Sequence, residues 1–145
     1  MTAVLHATTV AWEGRAVLIR GAAGTGKSAL GLRLMAWGCR LVADDRTEVR
    51  AEGGRVLARC PEAIRGMIEA RGVGLLAAEA LGEAEVVLVA DLDATERERL
   101  PPWREAVVAG VPLPCLHKPE TACFAPAILQ YLKAGRRFPA PERPP

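Results

Sequence analysis

Residues 16–28, AVLIRGAAGTGKS, run an apolar β-type segment straight into a glycine loop, and that junction constrains the fold more than any other part of the chain. Gly21, Gly26, Lys27 and Ser28 fit the spacing G-x-x-x-x-G-K-S, with Ala22, Ala23, Gly24 and Thr25 between them and Ala29 following. Each residue type has a physical task. Glycines let backbone N–H groups turn inward toward phosphate oxygens, the lysine adds charge at the β and γ phosphates, and the serine hydroxyl is a magnesium ligand. The pattern arises by chance in roughly one chain in 200 of this length at average residue usage. Here it also opens a helix: Leu30, Leu34 and Trp37, with Ala29 and Met35, recur at helical spacing, and Gly38 stands just past the end. Strand, glycine loop and helix in that order describe an α/β domain whose segment Gly21 to Ala29 holds the phosphates of a nucleotide.

The rest of the chain supplies mainly strands. Residues 3–12 and 16–20 are β-rich and flank the turn Trp12-Glu13-Gly14-Arg15. CRLVADD, residues 39–45, is a short apolar strand ending in carboxylates, and residues 46–60 alternate about Gly53-Gly54 as a hairpin. Its arginines, Arg46, Arg50, Arg55 and Arg59, form the solvated face. A short helix is expected near 62–67, with a strand after it. EAEVVLVADL, residues 83–92, is a buried strand; TERERLPPW is loop, GVPLPCL an edge strand, and residues 120–134 a final amphipathic helix with Pro126 in its first turn. The tail from residue 135 has four prolines in its last seven residues and is expected to be disordered, leaving one domain over 1–134.

Composition narrows the partners. A net charge of +2 from 19 basic and 17 acidic residues, with no block of one sign, gives no reason to expect a nucleic-acid or membrane partner. Cys39, Cys60, Cys115 and Cys123 lack both the paired spacing of a zinc site and the density of a disulfide scaffold, so reduced, mostly buried thiols are expected. With no leader-like N-terminus and no long apolar segment, the expected compartment is the cytoplasm.

Phosphoryl transfer also needs a carboxylate for the metal and a group to orient or deprotonate the acceptor. Asp91, after VVLVA, fits a metal-binding strand end. Asp44 and Asp45 follow LVA, and adjacent residues at a strand end point to opposite sides. One of the pair can face the metal while the other reaches the acceptor hydroxyl.

At this point the chain resembles the catalytic domain of the HPr kinase/phosphorylase family. The shared features run in order: Leu5-His6, the loop GAAGTGKS, GCRLVADD, and IEARGVGLL at residues 68–76. The resemblance implies a single α/β domain with a P-loop core of the HPr kinase and phosphoenolpyruvate carboxykinase type, assembled as a hexamer. It implies an enzyme that uses ATP and magnesium to phosphorylate a serine of the phosphocarrier protein HPr, and in many members reverses the step by phosphorolysis. By motif position Asp44 is the general base, Lys27 holds the transferring phosphate, Ser28, Asp45 and Glu69 hold the metal, and His6 and Arg71 belong to the active site.

The chain departs from the family at both ends. Only five residues precede His6, so the separate N-terminal domain of longer members is expected to be missing. Where the family has an active-site arginine in Arg-Pro-Gly, this chain has LHKPE, with Lys118 as a point charge in place of a planar fork. Two other functions stay open on the residues alone: a kinase for a small hydroxyl-bearing metabolite, and a nucleotide-responsive regulatory module without catalysis.

Overall fold

The segment ahead of the glycine loop is strand β3 (Arg15–Arg20), and the fold is arranged around it and the parallel strand beside it, β9 (Ala84–Glu96). The computed structural model describes residues 1–141. Along β3 the side chains alternate between two cores. Ala16 and Leu18 enter one, Val17 and Ile19 the other, and all four are fully buried. A strand covered on both faces reads as an unbroken apolar run, which is why AVLI shows no polar alternation.

The remaining strands are β1 (Thr2–Leu5), β2 (Ala7–Trp12), β4 (Arg40–Ala43), β5 (Thr47–Glu52), β6 (Arg55–Arg59), β7 (Met67–Ala70), β8 (Gly74–Ala77), β10 (Glu105–Val108) and β11 (Val111–Pro119). Nine of the strands form one sheet with the order β1-β5-β6-β9-β3-β2-β4, in which β11 pairs parallel with the far half of β9 and β10 closes outside it. The strands β7 and β8 pair only with each other. Helices α1 (Lys27–Ala36) and α2 (Phe124–Ala134) cover one face through Leu30, Leu34, Ile128 and Leu132. On the other face the sheet curls over its own inner residues, among them Val49, Val56, Val86, Val108 and Leu113.

Helix α1 ends as its sequence requires. Gly38, at φ 112°, donates to the Met35 carbonyl, and Cys39 N–H reaches back to Leu34 O, the paired bonds of a Schellman cap. A Cβ at Gly38 would meet the Trp12 ring at 2.9 Å, so the position needs glycine for space as well as for its backbone angle. Pro126 is the third residue of α2, inside the first turn, where no intrahelical N–H bond is lost.

Several expectations shift in detail. The run 3–12 is two strands that part at His6: β1 pairs with β5, whereas β2 pairs with β3 and β4. The helix near 62–67 is one 3-10 turn, Glu62–Ile64. Strand β9 extends through Thr95 and Glu96, read from sequence as loop, because Lys118 and Pro119 pair with them. GVPLPCL lies inside the sheet, between β9 and β10. The expected tail is not free of the fold: the Arg136 guanidinium lies over the Trp103 and Tyr131 rings, and Pro139 is buried, while residues 142–145 lie outside the described ones.

The hairpin arginines do form a solvated face, with Arg59 bound to Glu48, Arg55 to Glu85 and Arg50 to both Glu52 and Glu83. The Arg50 hydrogen bond holds the Glu83 carboxyl below its usual range. Cys39 and Cys115 are buried free thiols, and burial pushes the Cys39 thiol up to about 11. Among the described residues no helix is long and apolar enough to cross a membrane.

Candidate active site

Strand β3 ends at Arg20 opposite Asp91 of the parallel strand β9, which runs on to Glu96, and the glycine loop leaves from the carboxyl end of β3, where ligands bind in open α/β sheets. Gly21 turns the chain at φ 154° so close to β9 that a Cβ there would stand 2.6 Å from Thr25 Oγ1 and 3.2 Å from Leu92 Cβ. Gly21→Ala is therefore expected to overpack the base of the loop, costing about 1–3 kcal/mol and several degrees of Tm in a thermal melt. A second change, Thr25→Ala, removes the closer clash and should recover part of the loss.

Past Gly21 the loop holds itself together through one peptide. The Ala22 carbonyl accepts the Thr25 hydroxyl at 2.7 Å, the Lys27 ammonium at 3.1 Å and the Thr25 N–H at 3.2 Å. Lys27 is buried to 7% exposure, and its Nζ also donates to Gly21 O at 2.8 Å. Two of the three ammonium donors are thus spent on the loop, which aims the third away from it. Gly26 precedes α1 with φ 99°, no side chain caps the helix, and its first turn holds no acidic residue. The first backbone bond into the helix is Leu30 N–H to Gly26 O, so among the described residues the amides of Lys27, Ser28 and Ala29 keep no acceptor. A Cβ at Gly24 or Gly26 would meet nothing within 4 Å, so the cradle is open on that side. Unpaired amides at the positive end of a helix dipole, beside a fixed ammonium, match the phosphate groups of a nucleotide.

Asp44 and Asp45 diverge as their adjacency implies. Asp44 is buried at the end of β4, and three donors converge on it. Its Oδ1 accepts the hydroxyls of Thr8 and Ser28, each at 2.7 Å, and its Oδ2 accepts the Glu69 N–H at 2.9 Å. A carboxylate has about four acceptor positions, so Oδ2 keeps one open. Asp45 takes φ 67°, a left-handed angle that aspartate tolerates, and its exposed carboxylate accepts His6 Nε2 at 2.7 Å. The fully buried Thr8 joins the two by donating to Asp44 and accepting the Asp45 N–H at 3.4 Å.

The structure thus gathers Ser28, Asp44 and the Glu69 backbone at one place, with the His6–Asp45 pair reached through Thr8 and the Lys27 ammonium turned back onto the loop carbonyls. The Glu69 side chain is exposed on β7, and Arg71 is exposed in the β7–β8 turn. Among the described residues, no three His, Cys, Asp or Glu side chains stand together as a metal set. Magnesium needs only one or two protein oxygens beside phosphate and water, and the Ser28 hydroxyl against Asp44 supplies hard oxygen donors of that kind. Asp91 does not stand as a free metal carboxylate, because Arg20 Nη2 and Nε donate to its Oδ2 at 3.1 and 3.3 Å. Lys118 is exposed past an irregularity in β11, opposite Thr95.

Two contributors went unread in the sequence, Thr8 and Asp93. Thr8 looks like any β-branched strand residue. Asp93 binds the Ala22 N–H, a partner 71 residues away in the chain, at 2.9 Å.

Comparison with known proteins bears on this arrangement. A family profile described as "HPr Serine kinase C-terminal domain" matches residues 1–93. HPr kinase/phosphorylase of Alkaliphilus metalliredigens is 42% identical over 94 residues, 63% of this chain and 30% of that protein. The Leptothrix cholodnii protein of the same name is 45% identical over 75 residues, 50% of this chain and 23% of that protein. The chain therefore spans less than a third of the length of these curated relatives. A solved structure, the Hpr(Ser) kinase/phosphatase from Coxiella burnetii, superposes with a TM-score of 0.75 at 24% identity, over 90% of this chain and 94% of that one. At that coverage the shared fold extends beyond residue 93. With the profile match running from residue 1 through the glycine loop, the Asp44-Asp45 pair and the β7–β8 hairpin, the chain belongs to the HPr serine kinase C-terminal domain family.

Proposed function

We propose that this chain is a phosphotransferase that moves the γ-phosphoryl group of ATP, with magnesium, to a serine hydroxyl of an HPr-type phosphocarrier protein. The observation that carries the proposal is Asp44: a buried carboxylate fixed by three donors, with one acceptor position left, hydrogen-bonded to the serine of a phosphate-binding loop.

The loop amides and Lys27 bind and orient the triphosphate. A magnesium ion held between Ser28 and the phosphates would offset charge at the transferring group. Asp45 and Glu69 are the further carboxylates within the motif set for that ion. Asp44 Oδ2 accepts the proton of the incoming serine as its oxygen bonds to phosphorus and the bond to ADP breaks. Run backward, an oxygen of inorganic phosphate bonds to the phosphoserine phosphorus to give pyrophosphate, and the same carboxyl returns the proton to the departing serine oxygen. His6, held by Asp45, and Arg71, in the exposed turn, are the residues assigned to meet the protein substrate. An arginine fork there suits phosphate charge.

The test mixes the purified chain with HPr, ATP and magnesium and reads one added phosphate on serine by mass spectrometry. Incorporation into HPr supports the proposal. Absence of transfer to any cognate carrier, with ATP consumed faster in the presence of small alcohols, turns the reading to a metabolite kinase. ATP-dependent partner binding that survives Asp44→Asn turns it to a regulatory module.

A further inference from the structure

The P-loop motif ends at Ser28, yet the peptide on which the loop depends is anchored from outside it. In the Gly21–Ala22 peptide, Gly21 O accepts the Lys27 ammonium at 2.8 Å, and Ala22 N–H has one partner, the Asp93 carboxylate at 2.9 Å. The contact falls where the β3–β9 ladder would continue: Arg20 pairs with Asp91, and two residues on, the Asp93 side chain takes the N–H that another ladder bond would have taken. Asp93 is itself oriented, since its N–H donates to Asp91 Oδ1 at 2.9 Å and Asp91 Oδ2 is held by Arg20. Gly21, flush against Leu92, brings the loop near enough for the bond to form.

We propose that Asp93 is a positioning residue for nucleotide binding, acting through the Gly21–Ala22 peptide to hold the Lys27 ammonium in its phosphate-facing place. A peptide whose N–H donates to a carboxylate is polarised, so its carbonyl accepts more strongly. The carbonyl of that unit is Gly21 O, which accepts the Lys27 ammonium at 2.8 Å. Asp93 engages the rear of the loop and leaves the amides from Lys27 to Ala29 for phosphate. Its charge does not enter the argument; its acceptor oxygen does. The proposal rests on the loop binding ATP, and its first readout is independent of that.

The first measurement is hydrogen exchange of the Ala22 amide in the nucleotide-free chain, followed by NMR. Asp93→Ala is expected to speed that exchange at least about tenfold. Asp93→Asn, whose side-chain carbonyl still accepts the N–H, is expected to restore protection. The second is ATP binding with magnesium: Asp93→Ala weakens affinity about tenfold, Asp93→Asn recovers most of it, and the KM for the protein substrate does not move. Unchanged Ala22 exchange in Asp93→Ala overturns the proposal, whether or not the chain proves to be a kinase. So does an Asp93→Asn variant that loses ATP affinity as fully as Asp93→Ala, because charge would then be what matters. Loss of transfer to HPr with these two patterns intact counts against the proposed function alone.

Discussion

Asp44→Asn is expected to slow phosphoryl transfer about 10³-fold while ATP affinity stays within a few-fold of the unaltered chain. The carboxylate accepts from Thr8, Ser28 and the Glu69 N–H, and an amide supplies only one oxygen for those three donors. With its oxygen toward the two hydroxyls the amide's NH₂ faces the Glu69 N–H, and turned the other way it makes both hydroxyls give up their present roles as donors. The substitution should therefore also cost about 1–3 kcal/mol of stability, seen as a lower Tm. Thr8→Val separates the two effects. It removes one donor and leaves the Asp44 carboxyl with Ser28 and the Glu69 N–H, so it lowers Tm while most of the transfer rate survives. Rates, ATP titrations and melts on the two variants together decide the role. Wild-type transfer by Asp44→Asn would mean that another group takes the serine proton.

The features legible in the sequence are those set by neighbours in the chain. The glycine loop, α1 with its Gly38 cap, and the hairpin about Gly53-Gly54 each depend on residues within one or two turns, and all three appear where the sequence places them. The divergence of Asp44 and Asp45 follows from strand geometry alone, and the structure separates them into a buried and an exposed carboxylate. What was not legible depends on distant pairing. The break at His6 exists because Leu5 pairs with Thr47 while Thr9 pairs with Ala43, and nothing in residues 3–12 encodes two different partners. Strand β9 runs four residues past Leu92 because β11 supplies a ladder there. Asp91 reads as a metal carboxylate until the register sets Arg20 beside it, and that register also puts Asp93 next to Ala22. An arginine ending one apolar strand and an aspartate ending another was the available signal, useful only once the two strands were taken as parallel neighbours.

Lys27→Ala is expected to differ from Asp44→Asn by losing both functions: transfer falls at least about 10³-fold and ATP affinity about ten- to a hundredfold. The ammonium is the one cation seated in the described loop, and its bonds to Gly21 O and Ala22 O fix where its remaining donor points. Truncation removes that charge where the triphosphate would lie, so binding suffers as well as the chemical step. Lys27→Arg should not restore either. The pocket leaves the side chain 7% exposed, and a planar fork cannot place two donors on those carbonyls and a third on phosphate as an ammonium does. Isothermal titration with ATP and magnesium, alongside transfer rates, reads both quantities. If Lys27→Ala bound ATP as the unaltered chain does, the glycine loop would not be where the phosphates sit, and the Asp44 assignment would lose the loop serine that ties it to the nucleotide. The contrast between the two variants, one losing the proton acceptor and the other the phosphate holder, tests the site as a working arrangement rather than as a set of motif positions.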